Sequence, residues 1–308
     1  MKDEIMPEIM KGVNAAVLTP MNKDLTPDLG RMADHCRWLL DNGCDGLGIL
    51  GTSGEAQSFS VRERMAILEG MEKAGIPMSK AMPGTGAAAY VDTTELTRHA
   101  VDLGASGTLV LPPFYLKGVS DDGIFAAFDK IIEGVGSSDL RIYLYHFPQM
   151  SGVPLSLDLV ERLAAAFPNI VVGAKDSSGD VSNMLGMVKI PGFAVFPGSE
   201  AAFLEVLQAG GAGCITAGSN LCMEMCQRLY TAWTTRGEVD EEAQRIIVGV
   251  RNVISSYPLW PGLKALMARH SGHSDWENIR PTLMPLDDAS RAEIYAAFDE
   301  IGYEMPSL

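Results

Sequence analysis

The chain has 308 residues, of which 47% are hydrophobic and 20% are charged, and its formal net charge is −15. This composition is that of a globular protein and excludes a disordered or fibrous chain. The negative charge argues against a nucleic acid or an anionic membrane surface as the main partner. It leaves open a small anionic substrate, because such a ligand responds to local charge.

The cysteines indicate a reducing compartment. Their number is odd and their spacing is not that of a disulfide framework, so we expect a cytoplasmic protein. They are Cys36, Cys44, Cys214, Cys222 and Cys226. Cys222 and Cys226 lie four residues apart on a predicted helix, but they lack nearby His and Asp partners, which favours structural thiols over a metal site. Residues 1–4 lack the apolar segment of a signal peptide, and no apolar run reaches the ~18 residues that span a bilayer.

Short apolar runs alternate with longer helical patterns, which is typical of parallel strand-helix units. We predict eight strands, in residues 13–19, 45–50, 77–82, 107–111, 140–145, 170–175, 194–197 and 213–217. The helical patterns between them cover residues 27–42, 60–74, 90–103, 122–134, 156–167, 180–188 and 200–209. Thr26-Pro27, Ser60 with Glu63 and Ser156 mark three helix starts.

Eight such units predict an α/β protein with a (β/α)8 TIM barrel, and an open doubly wound sheet is the main rival. After residue 220 the strands stop, and residues 221–236, 239–256, 261–269 and 289–301 are predicted helices. We therefore expect a barrel domain in residues 1–237 and a C-terminal helical extension in residues 238–308.

A single lysine ends the sixth predicted strand. Residues 170–174 are apolar or glycine, Lys175 follows them, and a polar turn begins at Asp176. A lysine at this position either reaches solvent or stays buried, and a buried amine is held more in the free-base form that attacks a carbonyl. Taken alone, Lys175 favours the solvent-reaching interpretation.

Other polar groups follow strand ends, where barrel enzymes place their chemistry. These residues are Thr52 and Ser53 in a glycine-bounded turn, Tyr115, Tyr145, and Ser199 with Glu200. Each has an ordinary structural interpretation as a turn residue, a loop aromatic group, a strand end or a helix-terminal charge.

Taken together, the motifs resemble those of the dihydrodipicolinate synthase and N-acetylneuraminate lyase family, which are pyruvate-dependent class I aldolases with a (β/α)8 barrel. The matching segments are Ala16-Val17-Leu18-Thr19-Pro20, Gly51-Thr52-Ser53-Gly54-Glu55, Pro83-Gly84-Thr85-Gly86, Pro112-Pro113-Phe114-Tyr115, Tyr145-His146-Phe147-Pro148, Gly173-Ala174-Lys175-Asp176 and Gly210-Gly211-Ala212-Gly213 through Asn220. This ordered series is specific for the family and far less specific for the substrate.

The resemblance implies that Lys175 forms a Schiff base with pyruvate or another 2-oxo acid and that Tyr145 shuttles protons beside it. It also implies that Thr52 and Ser53 bind the oxo-acid carboxylate. No metal or organic cofactor is required, because a protonated imine is itself the electron sink.

Further implications concern the assembly and the substrate. Thr52 resembles the hydroxyl that links Tyr145 to Tyr115, and the counterpart of Tyr115 reaches across from a neighbouring subunit, so a homotetramer built as a dimer of dimers is expected. Ile215 is similar to the position whose backbone carbonyl faces the substrate.

Two departures from the family's synthases are visible. Met150 stands where those synthases carry an arginine that binds a second carboxylate, and His146 replaces the usual asparagine. Glu200 aligns with an acidic position that contacts sugar hydroxyls in sialic-acid lyases, and Ser199 adds a hydroxyl. We therefore favour a lyase acting on a 2-keto-3-deoxy sugar acid over 4-hydroxy-tetrahydrodipicolinate synthase. The sequence also leaves open a dehydratase that uses the same imine and a non-catalytic 2-oxo-acid binding protein.

Overall fold

The computed structural model describes residues 9–308, so residues 1–4, which bear on the signal-peptide prediction, lie outside the described part. Within it, seven strands form a parallel barrel: β1 (Gly12–Ala15), β2 (Gly46–Leu47), β3 (Thr108–Val110), β4 (Ile142–His146), β5 (Val171–Asp176), β6 (Ala194–Pro197) and β7 (Gly213–Thr216). They pair in the orders β2-β1-β7 and β3-β4-β5-β6.

Backbone hydrogen bonds of residues outside the regular strands join these two sheets into a closed barrel. On one side Ala212 N donates to Val195 O, at 2.9 Å, and Gly12 N donates to Ala212 O, at 2.8 Å, which links β6 to β1 and β7. On the other side, residues 81–85 lie between β2 and β3. Met82 N donates to Leu47 O and Leu109 N donates to Pro83 O, both at 2.8 Å. The (β/α)8 prediction is therefore confirmed.

The prediction of a third regular strand in residues 77–82 is wrong. A 3-10 helix occupies Met78–Lys80, and only Ala81 and Gly84 form parallel bridges, to Leu47 and Leu109. Pro83 has no N–H to donate, and a Cβ on Gly84 would lie 2.3 Å from the carbonyl oxygen of Leu50. Close backbone packing at this point shortens the ladder without opening the barrel.

Helices surround the barrel and extend beyond it. They are α1 (Leu29–Asp41), α2 (Val61–Lys73), α3 (Tyr90–Asp102), α4 (Asp121–Val135), α5 (Pro148–Ser151), α6 (Leu157–Ala166), α7 (Val181–Val188), α8 (Phe203–Gln208), α9 (Ser219–Arg236), α10 (Glu241–Ser255), α11 (Leu259–Ser271) and α12 (Asp288–Asp299). None of those helices is long and apolar enough to cross a membrane.

The sequence signals for helix starts have mixed outcomes. Ser60 and Glu63 form the expected capping box on α2, and Ser156 caps α6. Helix α1 begins later than predicted, because the side chain of Asp28 and not that of Thr26 accepts the first-turn N–H, from Arg31.

Apolar side chains fill the inside of the barrel. Tyr143, Phe196 and Ile215 are fully buried there, and the rings of Tyr143 and Phe196 meet edge to face with centroids 5.8 Å apart. A second, larger core lies between the barrel and its helices, and it continues into α10–α12. The division between residues 237 and 238 stays a prediction, since this core passes across it.

A buried ion pair joins the extension to the barrel. The ammonium of Lys264 in α11 contacts the carboxylate of Glu55, and both side chains are fully buried. Burial raises the pKa of Glu55 and lowers that of Lys264, while their mutual attraction opposes both shifts. Lys264 Nζ also donates to Asn278 O, at 2.9 Å.

We expect Lys264→Met to lower the free energy of unfolding by about 3–5 kcal/mol, because it leaves the Glu55 carboxylate buried without its cation. The double variant Lys264→Met with Glu55→Gln should recover a large part of this loss, since no charge remains inside. Urea denaturation of the three proteins at one concentration measures both effects. Equal stability of the single and double variants would show that the isolated carboxylate is not the cause.

Candidate active site

The carboxyl ends of β4 and β5 bring Lys175 and Tyr145 together. The two residues are register partners in the parallel ladder, and both are about 3% exposed. Lys175 Nζ lies 4.6 Å from the centroid of the Tyr145 ring. The amine thus lies inside the barrel mouth against an aromatic face, not in solvent.

Thr52 connects this pair to the turn after β2. Its Oγ1 lies 3.0 Å from the hydroxyl oxygen of Tyr145, and either atom can donate the hydrogen bond. This geometry suits proton transfer, because a tyrosine hydroxyl and a threonine hydroxyl can each give and accept a proton within one hydrogen bond. An amine, a phenol and a threonine hydroxyl in this arrangement have the chemistry needed for a nucleophile with a proton path.

The same turn is fixed from several directions. Thr19 Oγ1 donates to Gly54 O, at 2.8 Å, and Trp260 Nε1 donates to Thr52 O, at 2.7 Å. Gly54 packs so closely that a Cβ there would lie 2.7 Å from Val17 O. Ser53 is buried within this turn, next to Thr52.

Ile215 belongs to the apolar cluster inside the barrel. Its side chain is fully buried in the barrel interior, and its residue pairs with Asn14 of β1. The expected contact of its backbone carbonyl with a substrate stays a prediction.

Tyr115 does not join the other site residues within one chain. It lies in the β3–α4 loop and is 78% exposed, next to Leu116, which is 70% exposed. Such exposure of adjacent apolar side chains is typical of a surface that contacts a partner.

His146 occupies the end of β4 beside β5. Its Nδ1 accepts a hydrogen bond from Leu155 N, at 3.0 Å, so this nitrogen carries no proton. Burial lowers the pKa of His146, and the charge of Asp176 opposes that shift. The neutral imidazole therefore supports the loop before α6.

Met150 lies in the short helix α5 and is 51% exposed. The neighbouring Gln149 donates from Nε2 to Ser178 O, at 2.6 Å, which joins α5 to the loop that follows Lys175. Position 150 is thus at the rim of the barrel mouth, and its contact with an acceptor substrate stays a prediction.

Glu200 and Ser199 make structural contacts in this chain. The Glu200 side chain is fully buried, its Oε1 accepts from Gly218 N at 2.6 Å, and its Oε2 lies 3.6 Å from Nη1 of Arg251. Ser199 Oγ accepts from Ala201 N at 3.4 Å and caps a 3-10 helix. The structure does not bring Glu200 to Lys175, and a substrate contact would require its carboxylate to leave this position.

The five cysteines are free and buried, and residues 9–308 contain no group of His, Cys, Asp and Glu side chains that could hold a metal ion. Burial strongly raises the pKa of the Cys44 and Cys214 thiols. At Cys226 the hydrogen bond with Cys214 lowers the pKa, but the hydrogen bond with Cys222 and burial outweigh it and raise the pKa strongly. These thiols are packing groups in the core.

Three supporting residues were not predicted from the sequence, namely Trp260, Lys264 and Asn220. The Asn220 side chain donates to Ala16 O and accepts from Leu18 N, which fixes the end of β1 against the start of α9. Lys264 carried a usable signal, because a lysine between apolar residues on both sides of a helix needs a buried partner. Trp260 carried none, since its partner is a backbone carbonyl 208 residues away.

Comparison with known proteins shows the family of this chain. The model of the dihydrodipicolinate synthetase family matches residues 9–301. An uncharacterised DapA-like lyase of Chloroflexus aurantiacus is 34% identical over 293 residues, which cover 94% of this chain and 97% of that protein. A 4-hydroxy-tetrahydrodipicolinate synthase of Hydrogenobaculum is 30% identical over 234 residues, which cover 76% and 78%.

Solved structures are similar over nearly the whole chain. The dihydrodipicolinate synthase of Agrobacterium tumefaciens has a TM-score of 0.86 at 34% identity, covering 95% of this chain and 99% of that one. YagE of Escherichia coli K12, solved in complex with pyruvate, has a TM-score of 0.88 at 26% identity, covering 96% and 99%. This chain therefore belongs to the dihydrodipicolinate synthetase family, whose members are lyases built on a (β/α)8 barrel.

Proposed function

We propose that this protein is a class I aldolase that joins or splits pyruvate and an aldehyde through an imine on Lys175. The observation that carries the proposal is the placement of a buried amine against the Tyr145 ring, with the Tyr145 hydroxyl 3.0 Å from Thr52 Oγ1. Three chemical groups from three neighbouring segments meet at the carboxyl ends of the strands, where barrel enzymes carry out their reactions.

In the proposed reaction the Lys175 amine attacks C2 of pyruvate, and the carbonyl oxygen leaves as water to give a protonated imine. Loss of a proton from C3 then gives an enamine, whose C3 attacks the aldehyde carbon. Hydrolysis of the resulting imine releases the product and restores the amine. Tyr145 carries the protons of these steps and exchanges them with the Thr52 hydroxyl.

We assign the pyruvate carboxylate to the turn of Thr52 and Ser53. The turn combines hydroxyl and backbone N–H donors with a backbone fixed by Thr19 and Trp260, so little ordering is needed on binding. The pyruvate complex of YagE supports the choice of this 2-oxo acid.

For the second substrate we propose a neutral or hydroxylated aldehyde, so that the cleaved compound is a 2-keto-3-deoxy sugar acid. Met150 at the rim offers no cation to a second carboxylate. Gln149 beside it contacts the loop after Lys175 through Ser178 O, and Gln149 and Ser177 of that loop carry polar groups suited to hydroxyls. A second candidate is 4-hydroxy-tetrahydrodipicolinate synthase, which is favoured by the names of relatives such as the Hydrogenobaculum protein.

We further propose that the working form is a homotetramer, a dimer of dimers, in the cytoplasm. The exposed Tyr115 supports the assembly, because its ring has no place in the site of its own chain. The cytoplasmic location rests on the cysteine content.

Incubation with pyruvate and borohydride should fix a stable adduct on Lys175, detected by peptide mass spectrometry, because hydride reduces the imine to an amine that cannot hydrolyse. Lys175→Met is the matched control and should give no adduct. Folded wild-type protein without an adduct would contradict the proposal.

A panel of 2-keto-3-deoxy acids, assayed for pyruvate release, then separates the candidate activities. Pyruvate with an aldehyde indicates an aldolase, loss of water with the carbon skeleton retained indicates a dehydratase, and saturable binding without a product indicates a non-catalytic binding protein.

We expect Met150→Arg to raise the ratio of kcat/KM for a carboxylate-bearing aldehyde to that for a neutral one. The corresponding change in activation free energy is about 1.5–3 kcal/mol, the size of a charged hydrogen bond. Met150→Gln is the uncharged control and should leave the ratio near that of wild type. An unchanged ratio in Met150→Arg would mean that position 150 does not face the acceptor.

A further inference from the structure

The C-terminal extension reaches the active-site turn at two points. Trp260 and Lys264 lie four residues apart on α11 and therefore share one face of the helix. Trp260 Nε1 donates to the backbone oxygen of Thr52, at 2.7 Å, and Lys264 pairs with Glu55 three residues further along the turn. One helix thus holds both halves of the turn after β2.

Both the backbone carbonyl and the side-chain hydroxyl of Thr52 are therefore held by hydrogen bonds. Its carbonyl accepts from Trp260, and its hydroxyl meets the hydroxyl of Tyr145 at 3.0 Å. A shift of the Thr52 backbone would move Oγ1 with it, because threonine is branched at Cβ and has few side-chain rotamers. An error of ~1 Å in such a contact can slow a reaction by about 10²-fold.

The other half of the turn needs an anchor for a conformational reason. Glu55 has a φ of +57°, a left-handed conformation that non-glycine residues adopt only when their surroundings enforce it. The ion pair with Lys264 holds the Glu55 side chain from inside the core, and the Glu55 backbone donates to Thr52 O at 3.0 Å and accepts from Ser58 N at 2.8 Å.

Residues that follow α11 extend the same contact. The Lys264 ammonium donates to Asn278 O at 2.9 Å, Asn278 Nδ2 donates to Met21 O at 3.0 Å, and Arg280 Nη1 donates to Ser58 O at 2.7 Å. The extension is therefore bonded to the loops after β1 and β2 and to the turn itself.

We propose that α11 is a positioning element of the catalytic apparatus: Trp260 fixes Thr52 so that its hydroxyl stays within reach of Tyr145, and Lys264 anchors the turn through Glu55. The inference rests on the proposed function, since it assigns the contact to the proton path of the imine reaction. It predicts that the extension affects the rate of proton transfer at C3 more than the amount of imine that accumulates with pyruvate and is trapped by borohydride.

The test compares Trp260→Phe, which keeps an aromatic ring and removes the N–H, with Trp233→Phe on α9. Both tryptophans are partly buried, so the control carries the same loss of ring volume. Two readouts are measured with pyruvate alone, namely borohydride trapping on Lys175 and exchange of the C3 protons for solvent deuterium, followed by NMR.

Trp260→Phe should slow deuterium exchange about 10-fold while the trapped adduct and the melting temperature match those of Trp233→Phe. In a Thr52→Val background, which lacks the hydroxyl, Trp260→Phe should slow deuterium exchange less than about 2-fold, because the effects of coupled residues are not additive. If Trp260→Phe does not fold, benzothienylalanine at position 260 replaces the N–H by sulfur in a ring of the same shape and serves in its place.

Two results would overturn the inference and leave the proposed function intact. One is deuterium exchange at the wild-type rate in Trp260→Phe. The other is an equal slowing of exchange by Trp260→Phe whether residue 52 is threonine or valine. Absence of any adduct with the wild-type protein would overturn the proposed function and this inference with it. The two failures are thus distinguished by the wild-type trapping result.

Discussion

Lys175 places an amine inside the end of a parallel barrel, where an ammonium group loses most of its contact with water. Burial of such a group is costly unless other groups stabilise it, and the face of the Tyr145 ring, 4.6 Å from Nζ, is one such group. The parallel register of β4 and β5 sets this neighbour, since the two residues are directly paired. The interior cluster beneath them closes the barrel and leaves the amine at its mouth. The remaining features of the site are arranged around this one buried amine.

The polar part of the site depends on segments that are distant in sequence. Thr52 comes from the turn after β2, Tyr145 from β4 and Trp260 from the C-terminal extension, yet consecutive hydrogen bonds connect all three. This arrangement separates two tasks. The barrel positions Lys175 through strand register, while the extension and the loops fix the turn that meets the tyrosine. A buried charge pair, Glu55 with Lys264, joins the two parts of the chain.

The alternation of apolar runs and helical patterns predicts parallel strand-helix units, because each period reflects which face of an element is buried. The count of eight units favours a barrel over an open sheet, since the local pattern does not show closure. The strand prediction fails at residues 77–82, because a 3-10 helix occupies Met78–Lys80 and Pro83 and Gly84 follow directly. Local hydrophobicity does not reveal this interruption of the ladder. Strand ends made Lys175, Tyr145 and Thr52 candidates, but their proposed roles come from the family resemblance. Glu200 was assigned from an aligned position, but its direction depends on Gly218 and Arg251, contacts that only the folded chain brings together. Trp260 was missed for the same reason.

Crystals soaked with pyruvate would show directly, in their electron density, whether Lys175 forms the imine. We expect continuous density between Lys175 Nζ and C2 of pyruvate, with the carboxylate on the turn of Thr52 and Ser53 and the Tyr145 hydroxyl beside the new bond. Pyruvate bound without a covalent link to Lys175, or bound away from that turn in well-ordered crystals, would contradict this expectation.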